Sequence, residues 1–400
     1  MAHDIPPSTG SPEPSESWVP AGYLDAASGL PLRPQAHDAF LSALEHGFAD
    51  PSRHYHAARR ARQLLDQARE LVASLIGARP DELSFTSSGT QAVHLAVQGL
   101  AIGRARQGSR ILCSSVEHSS VLHSAHAVIG AHVEELPVDS TGAVLTSALE
   151  AQRPSTSSAG VALVAVQSAN HEVGTRQPIA EISELLKPAG IPLVVDAAQS
   201  LGRDEIPSSW DVLTGSAHKW GGPAGVGLLA VRSGTRWRSP LPSDGREHGR
   251  VPGFTAIPSI VAAAVALQES ESERTHESPR LHRLTKELRR ALVEQMPHCT
   301  ALGSPDDRLP HIVTLSIPYV AGEALLADLD RAGFAVSSGS SCVADSLVPS
   351  HVLVAMGALT HGNLRISLPP GVAERDITRF IDVLPGIVAQ NRESLGAGDL

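Results

Sequence analysis

Short runs of apolar, β-branched residues recur along the first two-thirds of the chain, most of them separated by helical or polar sequence. The runs at 83–85, 111–113, 161–166, 193–195, 212–213 and 226–231 are apolar on both faces. Strands of that kind, alternating with helices, predict a mainly parallel sheet covered on both sides. Between 56 and 77 the apolar positions fall at helical spacing (Ala57, Ala58, Ala61, Leu64, Leu65, Ala68, Leu71, Val72), with Gly77 as a stop. After the charged stretch at 269–280, a polar break inside or beside a long helix, the pattern changes. A helix near 280–295, strands at 311–317, 335–337 and 364–367, and helices at 322–332 and 374–388 predict a smaller α+β unit.

Length and composition refine this picture. The chain has 400 residues, which favours two domains. The expected organisation is a disordered tail at 1–20, rich in Pro, Ser and Glu, and an entry segment at 21–34 that packs with the small domain. A large domain at 35–265, a small C-terminal domain at 266–392 and a flexible tail at 393–400 follow. No run approaches the roughly 20 apolar residues of a membrane span, and the first residues lack the basic and apolar regions of a secretory signal. A net charge of −10 argues against nucleic acid as the main partner. Three dispersed cysteines, Cys113, Cys299 and Cys342, fit a reducing cytoplasm better than a disulfide framework. The 19 histidines form no zinc pattern, so no metal site is expected.

Candidate chemistry collects at the ends of the expected strands, where open α/β sheets bind ligands. The segment Thr86-Ser-Ser-Gly-Thr90 leads from one strand into a helix. Small residues at a helix N-terminus offer N–H groups to a phosphate, although a Ser/Thr N-cap is the commoner explanation and the motif alone is weak. Asp196 ends another strand, where a buried carboxylate needs a partner such as a protonated pyridine nitrogen, or serves as an N-cap. Lys219 follows a third, in Ser216-Ala-His-Lys219 before a glycine-rich stretch. A desolvated lysine there has a lowered pKa and a nucleophilic amine, whereas most lysines are solvated surface residues.

Phosphate loop, aspartate and lysine occur in the order used by enzymes that carry pyridoxal 5′-phosphate (PLP). From Tyr23 to the last helix the chain resembles the cysteine desulfurases, in the class V aminotransferase branch of fold-type-I PLP enzymes. The resemblance rests on YLDAASGLP (23–31), FTSSGT (85–90), VEHSSVL (116–122), NHEVG (170–174), VDAAQSLG (195–202), TGSAHKWGGPAGVG (214–227), SSGSSC (337–342) and LRISL (364–368). It implies an α/β fold with a large domain built on a seven-stranded, mainly parallel sheet and a smaller α+β domain. It implies that Lys219 holds PLP as a Schiff base, Asp196 pairs with the pyridine nitrogen, His118 stacks on the ring and assists proton transfer, and Gln199 bonds the phenolic oxygen. Gly89, Thr90, Ser216 and His218 would bind the phosphate, Asn170 and Arg365 the substrate carboxylate, and Cys342 would take the sulfur of L-cysteine, leaving L-alanine. A homodimer and a sulfur-acceptor protein are the implied partners.

The sequence departs from the resembled pattern at Gly29-Leu30, where two threonines are usual, and at Asp50-Pro-Ser-Arg53, where an Asn-Pro start is usual. In the segment 246–255 the usual phosphate-contacting threonine of the partner subunit falls on Phe254, and Thr255 lies one residue beyond. Thr255 is the candidate to replace it. Two other readings compete: a related PLP-dependent lyase acting on selenocysteine, cysteine sulfinate or a thioether, and a non-catalytic scaffold for a sulfur-transfer partner. Cys342 argues against lyases that need no acceptor thiol, and the intact set of Lys219, Asp196, His118, Arg365 and Cys342 argues against the scaffold.

Overall fold

The computed structural model describes residues 18–151, 160–338 and 349–397. The segment carrying Cys342, most of the expected N-terminal tail and the last three residues of the expected C-terminal tail therefore lie outside the described residues. Strands are β1 (Leu83–Thr86), β2 (Arg110–Ser114), β3 (His132–Leu136), β4 (Val161–Ala165), β5 (Leu193–Asp196), β6 (Val212–Ser216), β7 (Gly227–Val231), β8 (Thr300–Leu302), β9 (Ile312–Ser316) and β10 (Asn363–Ser367). Helices are α1 (Pro34–His46), α2 (His56–Leu75), α3 (Gly89–Gly103), α4 (Ser119–His126), α5 (Thr146–Ala151), α6 (Ile179–Leu186), α7 (Ile257–Gln295), α8 (Gly322–Arg331), α9 (His351–Ala355) and α10 (Glu374–Ser394).

Seven strands form one sheet in the order β1-β7-β6-β5-β4-β2-β3, and three form a second in the order β10-β9-β8. In the large sheet only β7 runs against its neighbours, antiparallel to both β1 and β6. The carboxyl ends of β1, β2, β4, β5 and β6 therefore share one edge. The central strands β4, β6 and β7 are buried along their whole length, as their unbroken apolar runs require. The small sheet is antiparallel and packs with the second half of α7, α8 and α10 in a separate hydrophobic cluster.

The structure departs from the sequence expectation at α7 and at 335–337. The charged stretch at 269–280 is no break, because α7 continues through it for 39 residues. Ion pairs one turn apart, Arg274–Glu271 at 2.9 Å and Arg280–Glu277 at 2.6 Å, hold the helix where apolar packing lapses. The helix consequently crosses the expected boundary at 265/266, with Leu267 in the large-sheet core and Leu281 in the small one. The expected strand at 335–337 is reduced to isolated bridges, Tyr23 with Ala335 and Ser337 with Arg365. These bridges tie the entry segment and the small sheet to one another.

Candidate active site

The loops after β1, β2, β4, β5 and β6 each deliver a polar side chain to one cleft of about 440 Å³. Gly89 and Thr90 come after β1, His118 after β2, Gln167 and His171 after β4, Asp196 and Gln199 after β5, and Ser216, His218 and Lys219 from the end of β6 onward. Arg365 from β10, Ser337, and Ala27 and Ser28 of the entry segment close the other wall. The expected site residues Gly89, Thr90, His118, Asp196, Gln199, Ser216, His218, Lys219 and Arg365 thus meet in one place.

The floor of the cleft is built for an anion. Ser88 caps α3, its side chain accepting from the Gln91 N–H at 3.0 Å. The N–H groups of Gly89 and Thr90 lie in the first turn, which has no helix carbonyl to accept them. Gly89 is required by a close approach: a Cβ there would sit 2.7 Å from the Ser216 Cβ. Ser216 Oγ shares a hydrogen bond of 3.0 Å with His218 Nδ1. Burial pulls the His218 imidazole down to about 4, so the ring is neutral at pH 7.

Asp196 ends β5 half-buried at the cleft. Its Oδ1 accepts from the Ala198 N–H at 3.0 Å and the Thr214 hydroxyl at 3.2 Å. Burial raises its pKa, while His118, those hydrogen bonds and Lys219 oppose the rise. A cationic N–H donor arriving in the cleft would complete it. His118 accepts the Ser120 N–H on Nδ1 at 3.2 Å. A backbone N–H only donates, so the neutral ring carries its proton on Nε2. Burial lowers its pKa, with Asp196 acting against. Gln199 is anchored through Nε2 to the Ala27 carbonyl at 2.9 Å.

Lys219 donates from Nζ to the carbonyls of Ala27 at 2.6 Å and Ser28 at 2.9 Å. Burial first, then the charges of Arg365 and Arg203, bring its amine down to about 8 against the pull of Asp25 and Asp196. Arg365 donates from Nη1 to the His171 carbonyl at 2.9 Å, and from Nη2 to Asp25 Oδ1 at 2.9 Å and Ser28 Oγ at 2.7 Å. Its Nε is buried without a partner among the described residues.

Asn170 is held by its own loop. Its amide is spent on its own loop, with Oδ1 accepting from the N–H groups of Glu172 and Val173 at 2.8 Å each and Nδ2 donating to the Val116 carbonyl at 3.0 Å. It is fully buried and does not line the cleft. The neighbouring His171 does, edge-on to the His118 ring with centroids 5.2 Å apart. The motif at 170–174 thus presents His171 to the cleft and uses Asn170 to brace its loop. Asp25 and Ser28, in the segment at 23–31, were passed over as partners of Arg365.

Thr255 is absent from the cleft of its own chain. The preceding turn is fixed by Glu247 and His248, both left-handed with φ of 47° and 59°. Arg69 holds the Glu247 carboxylate in a two-pronged pair of 2.8 Å each.

The class-V aminotransferase family model matches residues 22–380. Among curated proteins, the chain is 35% identical over 381 residues to the cysteine desulfurase IscS of Dictyoglomus turgidum, covering 92% of this chain and 95% of that one. It is 36% identical over 385 residues to the IscS-like cysteine desulfurase of Mycobacterium tuberculosis, covering 93% and 97%. Among solved structures, a NifS-like protein superposes with a TM-score of 0.84 at 26% identity, over 92% of this chain and all (100%) of that one. SspA in complex with cysteine gives a TM-score of 0.74 at 28% identity, over 88% of this chain and 100% of that one. With a cleft whose polar groups come from the segments that suggested the relationship, the chain belongs to the class-V aminotransferase family and, within it, to the cysteine desulfurases.

Proposed function

We propose that this chain converts L-cysteine to L-alanine with PLP as cofactor and takes the sulfur onto Cys342 as a persulfide. The observation that carries this reading is the convergence of Lys219, Asp196, His118 and Arg365 on one cleft. The donor set fits PLP: a first-turn anion cradle with Ser216 and His218 for the phosphate, the half-buried Asp196 for a pyridinium, and Gln199 beside the anchored amine for the phenolic oxygen. Bound there, PLP supplies the electron sink that accepts the electron pair left at the substrate Cα.

The side chains then divide the work. Arg365 holds the substrate carboxylate, which the planar guanidinium suits. Lys219, with an amine near 8, takes the α-proton. His118 offers Nε2–H over the ring. Cys342, as thiolate, attacks the substrate sulfur. The carbon–sulfur bond breaks, a sulfur–sulfur bond forms, and a proton reaches Cβ, so cysteine and one thiol become alanine and one persulfide. An acceptor protein then collects the sulfur. Anaerobic incubation of the PLP-loaded enzyme with L-cysteine tests this. Alanine should appear together with a gain of one sulfur on the peptide containing Cys342. Sulfide release without that mass gain would favour a lyase, and no alanine at all would favour a scaffold.

The reading extends to a cytoplasmic homodimer. No described helix is long and apolar enough to cross a membrane. Phe48, Tyr55 and Phe254 are exposed by 69%, 56% and 61%, more than isolated surface aromatics need to be. Arg246 joins their segments, pairing with Asp50 at 3.3 Å and lying over the Phe254 ring at 5.9 Å. A second copy seated on this face brings its Thr255 toward the phosphate cradle. A hydrogen bond to a charged group contributes about 1.5–3 kcal/mol. Thr255→Val should therefore weaken PLP binding by about tenfold to a hundredfold in a titration of apo-enzyme. Equal dissociation constants for parent and variant would remove the contact.

A further inference from the structure

The turn that carries Lys219 is followed by Gly221 and Gly225, both left-handed with φ of 84° and 87°. Glycine-rich backbone has little stiffness of its own. Yet four consecutive carbonyls of this turn are each held from outside. His218 O accepts from the Leu30 N–H at 2.9 Å, and Gly221 O accepts from the Arg33 N–H at 2.9 Å. Between them, Lys219 O accepts from Arg203 Nη2 at 3.0 Å and Trp220 O accepts from Arg33 Nε at 3.1 Å. Both central carbonyls are thus bonded by buried guanidiniums.

These arginines are poorly explained by stability. Arg33 is itself well anchored, to Glu273 at 2.9 Å and Ser270 at 3.0 Å. Arg203 is not: its Nε and Nη1 are buried and have no partner among the described residues. Burial and the like charge of Arg33 bring its pKa down to about 9, with Glu277, Tyr23 and Glu273 opposing. A buried cation with two idle nitrogens is a cost to folding. The bond it does make falls on the main chain of the cleft lysine. Gly221 is part of the same arrangement, because a Cβ there would lie 2.7 Å from the Arg33 Cγ.

We propose that Arg33 and Arg203 are positioning residues, a clamp that fixes the Lys219 turn so that its amine meets the substrate Cα in register. Neither lines the cleft, so both act through Lys219. Placement matters because an error of about 1 Å at a reacting group costs on the order of a hundredfold in rate. The clamp rests on the reading of Lys219 as the base that moves the α-proton.

Exchange of the α-proton of L-alanine in heavy water, followed by NMR on the PLP-loaded enzyme, isolates that step, because it needs Lys219 but not Cys342. Arg203→Met keeps the stem and removes the donors. It should slow exchange at saturating alanine by about tenfold to a hundredfold. Half-saturation should stay within about twofold of the parent, because Arg365 is untouched. Arg203→Lys restores the charge and one donor, and should fall between parent and Arg203→Met. A merely structural arginine would lower thermal stability and leave the exchange rate of the folded enzyme unchanged. That result, or a loss confined to half-saturation, overturns the clamp. If Arg203→Met does not fold, a parental exchange rate in both Arg203→Lys and Arg33→Lys does so. Absence of exchange in the parent overturns the role of Lys219 and the clamp with it, whereas exchange in the parent with parental rates in the variants overturns the clamp alone.

Discussion

Lys219→Ala should abolish turnover and the visible absorbance of lysine-bound cofactor while leaving the fold intact. The argument begins with charge. A lysine near its ordinary pKa is uncharged in only about one molecule in 3,000 at pH 7, whereas an amine at about 8 is uncharged in roughly one in ten. Burial and the nearby guanidiniums of Arg365 and Arg203 make that difference, and it is what lets the amine act as nucleophile and base. General-base catalysis alone contributes about 10²–10⁴-fold, and the variant loses covalent attachment as well. Alanine production should fall by at least that factor. Stability should change little, because removing a cation held near two others relieves repulsion and gives up only two hydrogen bonds, to Ala27 and Ser28. Absorbance spectra before any amine is added, with thermal melts alongside, check both halves. A variant that keeps the parental band would show that another group holds the cofactor.

Much of this site was legible because strand-end chemistry is local. Asp196 closes an apolar run, Lys219 follows another, and Gly89 opens a helix, so each could be placed from its neighbours in sequence. The misses have physical causes of two kinds. β3 (His132–Leu136) and β8 (Thr300–Leu302) are sheet-edge strands, partly exposed and short or polar, and carry no apolar run to reveal them. The other misses are contacts across great sequence distance. Arg365 meets Asp25 from 340 residues away, and Arg203 and Arg33 reach the carbonyls of Lys219 and Trp220 from separate segments. No periodicity records such pairings. The loop at 170–174 carries a distinction the sequence does not record: Asn170 braces the loop while His171 lines the cleft.

The entry segment gains a larger role than the sequence assigned to it. Expected only to pack with the small domain, it supplies two carbonyls to the amine of Lys219, a carboxylate and a hydroxyl to Arg365, and a main-chain N–H to His218. The proposed base and the proposed carboxylate-binding residue are therefore set by the same few residues, Ala27 and Ser28 with Asp25. Substitutions there should couple the two functions, whereas changes at Arg203 should touch only one.

Cys342→Ala should keep cofactor binding and the spectral response to L-cysteine, yet lose alanine formation and the persulfide. The prediction follows from elimination among three thiols. Cys113 is buried in β2, where burial and the carboxylates of Glu117 and Glu135 hold its thiol far above the ordinary range. Cys299 is buried too, and burial pushes its thiol up to about 11. Neither offers a thiolate at neutral pH, and neither lines the cleft. A free thiol near its ordinary pKa of about 8.5 is a few per cent thiolate at pH 7, enough for a nucleophile once substrate is in place. Cys342 itself lies outside the described residues, but its flanks are fixed beside the site. Ser337 lines the cleft and exchanges main-chain hydrogen bonds of 2.7 and 3.2 Å with Arg365. On the far side Ser350 donates to the buried Glu172 at 2.7 Å, and His351 lies 2.7 Å from the Glu117 carbonyl. With no thiol to accept the sulfur, the carbon–sulfur bond cannot break to give alanine, and any sulfide reaching solvent would come from β-elimination, which leaves pyruvate and ammonia. Alanine and bound sulfur are measured together in the parent and the variant. Loss of both with the spectral response retained supports a desulfurase that works through Cys342, and undiminished alanine in the variant would show that a sulfur acceptor other than Cys342 serves this chain.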